Sequence, residues 1–155
     1  MRPCKLRANF PSGVVVLYIA AFTILGCNRG PQVVPVEGVV YYNDEPLPFG
    51  SVMFQPIMGQ PAGARLAEDG SFKLSTFSEY DGAIVGEHKV KVTCYASQNP
   101  ALVSRNTGGE QTLGPSLIPE NYTYSDQSGL TAIVKPEGNE PLEFRLTGPP
   151  LKLSK

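Results

Sequence analysis

From residue 36 onward the apolar positions recur at every second residue, the period of a half-buried strand rather than of a helix. Val36, Gly38, Val40 and Tyr42 alternate with Glu37, Val39 and Tyr41 until the turn-forming cluster Asn43-Asp44-Glu45-Pro46 stops the run. Val52 and Phe54 mark a second strand, closed by Pro56. The pattern predicts a tight hairpin between Ala64–Ala67 and Phe72–Ser75, because the Asp-Gly of Glu68-Asp69-Gly70-Ser71 accepts the positive φ angles of a type I′ turn. His88, Val90, Val92 and Cys94 share one face of a later strand, with Glu87, Lys89, Lys91 and Thr93 on the other. A last pair is expected at Leu130–Val134 and Leu142–Leu146, joined through Lys135-Pro136-Glu137-Gly138-Asn139. Six or seven short strands with no convincing helix argue for an all-β domain, a sandwich of two antiparallel sheets.

Composition supports this and removes alternatives. One residue in five of the 155 is Gly (16) or Pro (15), a turn-rich but still globular content. A formal net charge of −1 leaves no basic footprint for nucleic acid. One His and three Cys supply neither a zinc finger nor a four-cysteine framework.

The amino-terminal segment has a different character. Arg2, Lys5 and Arg7 precede an uncharged run from Gly13 to Leu25, the charged-then-apolar order of an export signal. At 13 residues the apolar core is shorter than the roughly 20 needed to span a bilayer as a helix. It ends in Ile24-Leu25-Gly26-Cys27, which resembles the lipobox of bacterial lipoproteins. That resemblance implies cleavage between Gly26 and Cys27 and a diacylglycerol thioether, with palmitate-type acylation, on Cys27. It also implies a cell-envelope location, lipid-anchored with the domain outside the cytoplasm. An ordinary secretory signal with a chance cysteine is the alternative.

Removing Arg2, Lys5 and Arg7 leaves 10 basic against 14 acidic side chains, so the exported part carries −4. Cys94 becomes its only free thiol, which excludes an internal disulfide in an oxidising compartment. The expected organisation is a signal peptide over 1–26, a lipidated Cys and short tether over 27–33, the sandwich over 34–147 and a tail over 148–155.

Val36-x-Gly38-x-Val40, Pro46-Leu47 and Val52-x-Phe54 together resemble the opening of the carboxypeptidase regulatory-like (transthyretin-like) β-sandwich. Glu68-Asp69-Gly70-Ser71-Phe72 is similar to that family's hairpin, and Gly86-Glu87-His88-Lys89-Val90-Lys91-Val92 to a later strand. Glu45 stands where the family has a turn Gly and His88 where it has Tyr. Leu117-Ile118-Pro119-Glu120-Asn121-Tyr122 and Ser128-Gly129-Leu130-Thr131 look like short planctomycete lipoproteins with this single domain. The resemblance implies a seven-stranded antiparallel Ig-like or transthyretin-like sandwich and says little about function. The hydroxyisourate hydrolase of that fold uses several His and Arg and a carboxy-terminal Tyr-Arg-Gly-Ser, which this chain lacks.

No residue stands out as catalytic. His88, on the apolar face, is expected in the core or at its rim, since neither a nucleophile elbow nor a second His accompanies it. Cys94 on the same face is expected to be a buried structural thiol. The acid pairs Asp44/Glu45, Glu68/Asp69 and Glu79/Asp81 sit in turns without EF-hand spacing, so neither a metal nor another cofactor is called for. The aperiodic stretch Ala96–Ser116 is long enough to be a functional loop or a disordered one. Arg105 within it, and Tyr122 and Tyr124 just beyond, are the candidate binding residues, although such tyrosines more often plug the end of a sandwich.

The expected function is therefore a lipid-anchored, non-catalytic binding or structural module. Its expected partners are the membrane through Cys27 and an envelope protein or polysaccharide, with no nucleic acid, as a monomer or weak homodimer. The alternatives are a small envelope hydrolase using His88 and an accessory subunit that pairs through an edge strand.

Overall fold

The computed structural model describes residues 30–100 and 114–151. Gly26, Cys27 and Arg105 lie outside them. Within residues 31 onward the chain forms one compact unit. Its strands are β1 (Val33–Val34), β2 (Glu37–Tyr42), β3 (Glu45–Pro46), β4 (Ser51–Pro56), β5 (Ala62–Arg65), β6 (Ser71–Lys73), β7 (Ala83–Ile84), β8 (Gly86–Thr93), β9 (Leu130–Val134) and β10 (Leu142–Leu146). The described residues contain two short 3-10 turns, Ala96–Gln98 and Glu120–Thr123, and no α-helix. The protein is all-β.

Two four-stranded sheets carry the core. One has the order β5-β4-β8-β9, antiparallel throughout. In the other, β2 pairs with β10 along one edge and with β3 and β6 along the other. A third, two-stranded sheet joins β1 to β7. The period-two pattern sets which side chains turn inward: Gly38, Val40 and Tyr42 on β2, Val52 and Phe54 on β4, and His88, Val90 and Val92 on β8, followed by Cys94. The inward faces meet at Phe54, whose ring lies 6.1 Å from Phe72 and 5.7 Å from Phe144, both on the opposite sheet.

Two expectations from the sequence are corrected. The type I′ turn is at Asn43-Asp44 (φ 51° and 67°), where it joins β2 to β3. At the Asp-Gly site only Gly70 has positive φ, 75°, and a Gly70 N–H to Ala67 C=O bond closes the turn. That geometry sends the flanking strands to different sheets. The Gly70 carbonyl accepts from Val40 N–H, and a side chain at Gly70 would meet the Val40 oxygen at 2.6 Å.

Likewise β9 and β10 have the expected bounds but do not pair with each other. The chain crosses between the sheets, and β10 lies parallel to β2, so the antiparallel expectation fails at this one pairing. The cause is packing: Val134 and Phe144 fill one core from opposite sheets, and packed sheets stand about 10 Å apart, beyond the reach of a hairpin turn.

Residues on both sides of 34–147 are also bonded to the sheets. Val33 pairs with Ile84, and the Gln32 carbonyl accepts from Val85 N–H. Asn43 and Gly148 exchange two hydrogen bonds of 3.0 Å, and Tyr42 donates to Pro149 C=O at 2.6 Å. Tyr42 binds the end of the chain there and, buried beside Tyr122, has its phenol pKa raised, mainly by desolvation.

Phe54→Ala removes the ring on which both sheets converge. It is expected to lower the unfolding free energy by about 3–5 kcal/mol, read from the urea midpoint. A loss below about 1 kcal/mol would mean that the sheets do not depend on that contact.

Candidate binding groove and the fate of the predicted residues

An open groove of about 850 Å³ lies on the outer face of the β5-β4-β8 sheet. Register builds its floor. Gly63, Met53 and Lys91 form one row across three strands, and Arg65, Ser51 and Thr93 form the next. Its wall comes from the other sheet and the loop that follows: Ser71, Lys73, Ser75, Glu79 and Tyr80. Paired bonds of 2.9 and 3.0 Å between Gly63 and Ser75 join floor to wall and fold the two outer faces toward each other. A side chain at Gly63 would have no heavy atom closer than 3.8 Å, so the floor is open because the residue is glycine.

The groove is basic on an acidic domain. Lys73 pairs weakly with Glu37 at 3.5 Å, both side chains more than half exposed. Among the described residues, no ion pair engages Arg65 or Lys91. Tyr80, 60% exposed, stands at the rim with φ 59°, a strained setting for a bulky residue. The loop around it holds that setting. Asp81 accepts backbone N–H bonds from Thr76 at 2.7 Å and from Phe77 and Ser78 at 2.9 Å, while Tyr80 N–H donates to Ser75 Oγ at 2.8 Å. The Thr76 N–H bond is the first cause that lowers the Asp81 pKa, helped by those from Phe77 and Ser78.

Of the candidate residues read from sequence, Tyr122 and Tyr124 are described, and neither lines this groove. Tyr122 is half-buried against the core at one end of the sandwich, its hydroxyl accepting a 3.3 Å bond from Thr147 N–H. Tyr124, two residues on, faces solvent. A smaller hollow of about 570 Å³ at that end is lined by Ala96, Leu117, Ile118 and Pro149 among others. Ser116 bridges to Tyr95, so residues at either end of the long stretch are paired with each other.

His88 is 2% exposed. Its Nε2 is 2.6 Å from Ile84 C=O, which can only accept, so Nε2 carries the proton. Nδ1 is buried without a partner among the described atoms, and the ring packs 5.7 Å from Phe54. Cys94 is fully buried, and burial pushes its thiol up to about 12. No described cluster of three His, Cys, Asp or Glu is placed to hold a metal.

Alternation alone turns Lys91 and Thr93 outward. What sequence reasoning missed is that Arg65, Lys91 and Tyr80 line one groove, because that depends on β5 and β6 entering different sheets.

The chain matches no family model, no curated protein and no solved structure.

Two outcomes follow. Cys94, whose thiol is raised from 9.0 to about 12 in the fold, contributes stability that is fully present below pH 9 and is lost as pH rises toward 12. It should resist a thiol reagent at pH 8 until urea unfolds the chain; rapid labelling of folded protein would contradict its placement. Asp81, whose pKa is lowered, contributes loop order that is present above its unfolded value and lost as pH falls through the folded one. Asp81→Ala should speed chymotryptic cleavage at Phe77 and Tyr80 at neutral pH, and an unchanged rate would show that the carboxylate does not hold the loop.

Proposed function

We propose that this protein is a lipid-anchored component of the bacterial cell envelope, held at Cys27 with its domain outside the cytoplasm. It acts as a non-catalytic binding module whose groove takes an acidic polysaccharide. The observation that carries the binding role is that Arg65 and Lys91, without ion-pair partners among the described residues, line one open groove together with the exposed Tyr80. Guanidinium and ammonium groups suit carboxylates, and the tyrosine ring suits the apolar face of a sugar. An open groove accepts a polymer passing through it.

A non-catalytic reading is supported by His88, whose ring is buried in the core and does not line the groove. Placement in the transthyretin-like sandwich family is supported by the positions that carry the resemblance. Gly38, Phe54, Gly70, Phe72, Val90 and Val92 are all buried where the two sheets meet or turn. The anchored reading rests on the basic start, the apolar run and the Gly26-Cys27 pair.

With detergent-solubilised full-length chain and alginate as the probe, Arg65→Ala and Lys91→Ala should each weaken binding on the order of tenfold. Gly63→Val should block it by filling the floor without lowering the urea midpoint. Alginate binding unaffected by all three substitutions, or equal binding of uncharged dextran, would refute the groove. The anchor is tested apart: Cys27→Ser should abolish palmitate labelling and membrane fractionation, and retention of both would refute it.

A further inference from the structure

At the end of the sandwich where the chain enters the fold, apolar side chains stand in solvent. Ile57 and Met58, at the β4–β5 connection, are each 83% exposed, and Phe77 is 55% exposed. Gln60, two residues past Met58, donates to Thr76 C=O at 2.9 Å, which ties this connection to the segment carrying Phe77. Large apolar groups clustered at one tip are unusual on a soluble surface and mark a contact.

The position of the entering chain identifies what they contact. Val33 pairs with Ile84, and a side-chain carbon at Gly59 would fall 2.7 Å from the Ile84 δ1 methyl. Ile84 thus lies between the strand nearest the anchor and the exposed tip. Gln32, immediately before that strand, donates to Pro136 C=O at 3.4 Å and accepts from Val85 N–H, which fixes the tether's end at this pole. Only Asn28–Gln32 separate Cys27 from the fold, a reach of at most roughly 18 Å even when fully extended. An anchor on so short a lead holds this end of the sandwich at the bilayer.

Charge is not what brings the tip there. The neighbouring connection carries one cation, Lys135, against Glu137 and Glu140. The contact therefore relies on apolar burial in the acyl boundary, the second attachment that turns a tethered chain into an oriented one.

We infer that Ile57, Met58 and Phe77 insert into the lipid surface to which Cys27 is anchored, so that the sandwich stands with this end down and the groove opens to the side. This rests on the anchored reading given above. The chain has no tryptophan, so Met58→Trp introduces a single reporter, with Tyr124→Trp as the reporter remote from the tip.

Full-length lipidated protein is reconstituted into phosphatidylethanolamine/phosphatidylglycerol vesicles with and without brominated acyl chains. Met58→Trp should shift to the blue and be quenched by the brominated lipid, while Tyr124→Trp should do neither. Emission from Met58→Trp that stays unquenched while the protein floats with the vesicles overturns the proposal and leaves the anchor intact. A blue shift without quenching places the tip against a second copy of the chain and also overturns it. Failure of every variant to float removes the anchored reading, and this proposal with it.

Discussion

The contact between Phe54 on one sheet and Phe72 and Phe144 on the other is the constraint from which the rest of the structure follows. Phe72 reaches it only because the chain turns at Gly70 after β5 and changes sheets, and Phe144 only because the segment after β9 does the same. Both crossings sacrifice a local hairpin for burial in a shared core. Aromatic rings bury more apolar area than any local turn contributes, so tertiary packing decides the topology.

The same two crossings shape the outer surface. Because β5 and β6 belong to different sheets yet meet through Gly63 and Ser75, the outer faces close on one another and a groove forms between them. Asp81 then stiffens the loop beyond β6, fixing Tyr80 at the rim in a backbone setting that it would not adopt by itself. At the entry end, the pairing of β1 with β7 brings the tether beside the β4–β5 connection. Function, on this account, occupies the outside of a fold whose inside holds the chain's only imidazole and its buried thiol.

How much of this was legible depends on what a period-two pattern encodes. It tells which face each residue takes, and His88, Val90, Val92 and Cys94 lie inward as read. The bounds Leu130–Val134 and Leu142–Leu146 were legible because charged and turn residues flank both runs. A face is not a neighbour, however, and nothing in alternation shows that β10 lies parallel to β2 or that β9 turns to β8. The two-residue strands β1, β3 and β7 were illegible because no period can be read in two residues. Asn43-Asp44 reads as a turn from sequence, but glycine is the stronger cue for positive φ and draws the primed geometry to Asp69-Gly70. The groove was hidden for the same reason as the topology: Arg65, Lys73 and Lys91 read singly are ordinary solvated charges.

The central claim is that the groove on the β5-β4-β8 face is the working surface of an envelope-bound protein. The most direct measurement is photocrosslinking in intact cells from a photoreactive residue at Met53 on the groove floor, compared with one at the exposed Tyr124. The account predicts a high-mass adduct from Met53 that collapses on digestion with polysaccharide-degrading enzymes, and no such adduct from Tyr124. No adduct from Met53, or the same adduct from both positions, would contradict it.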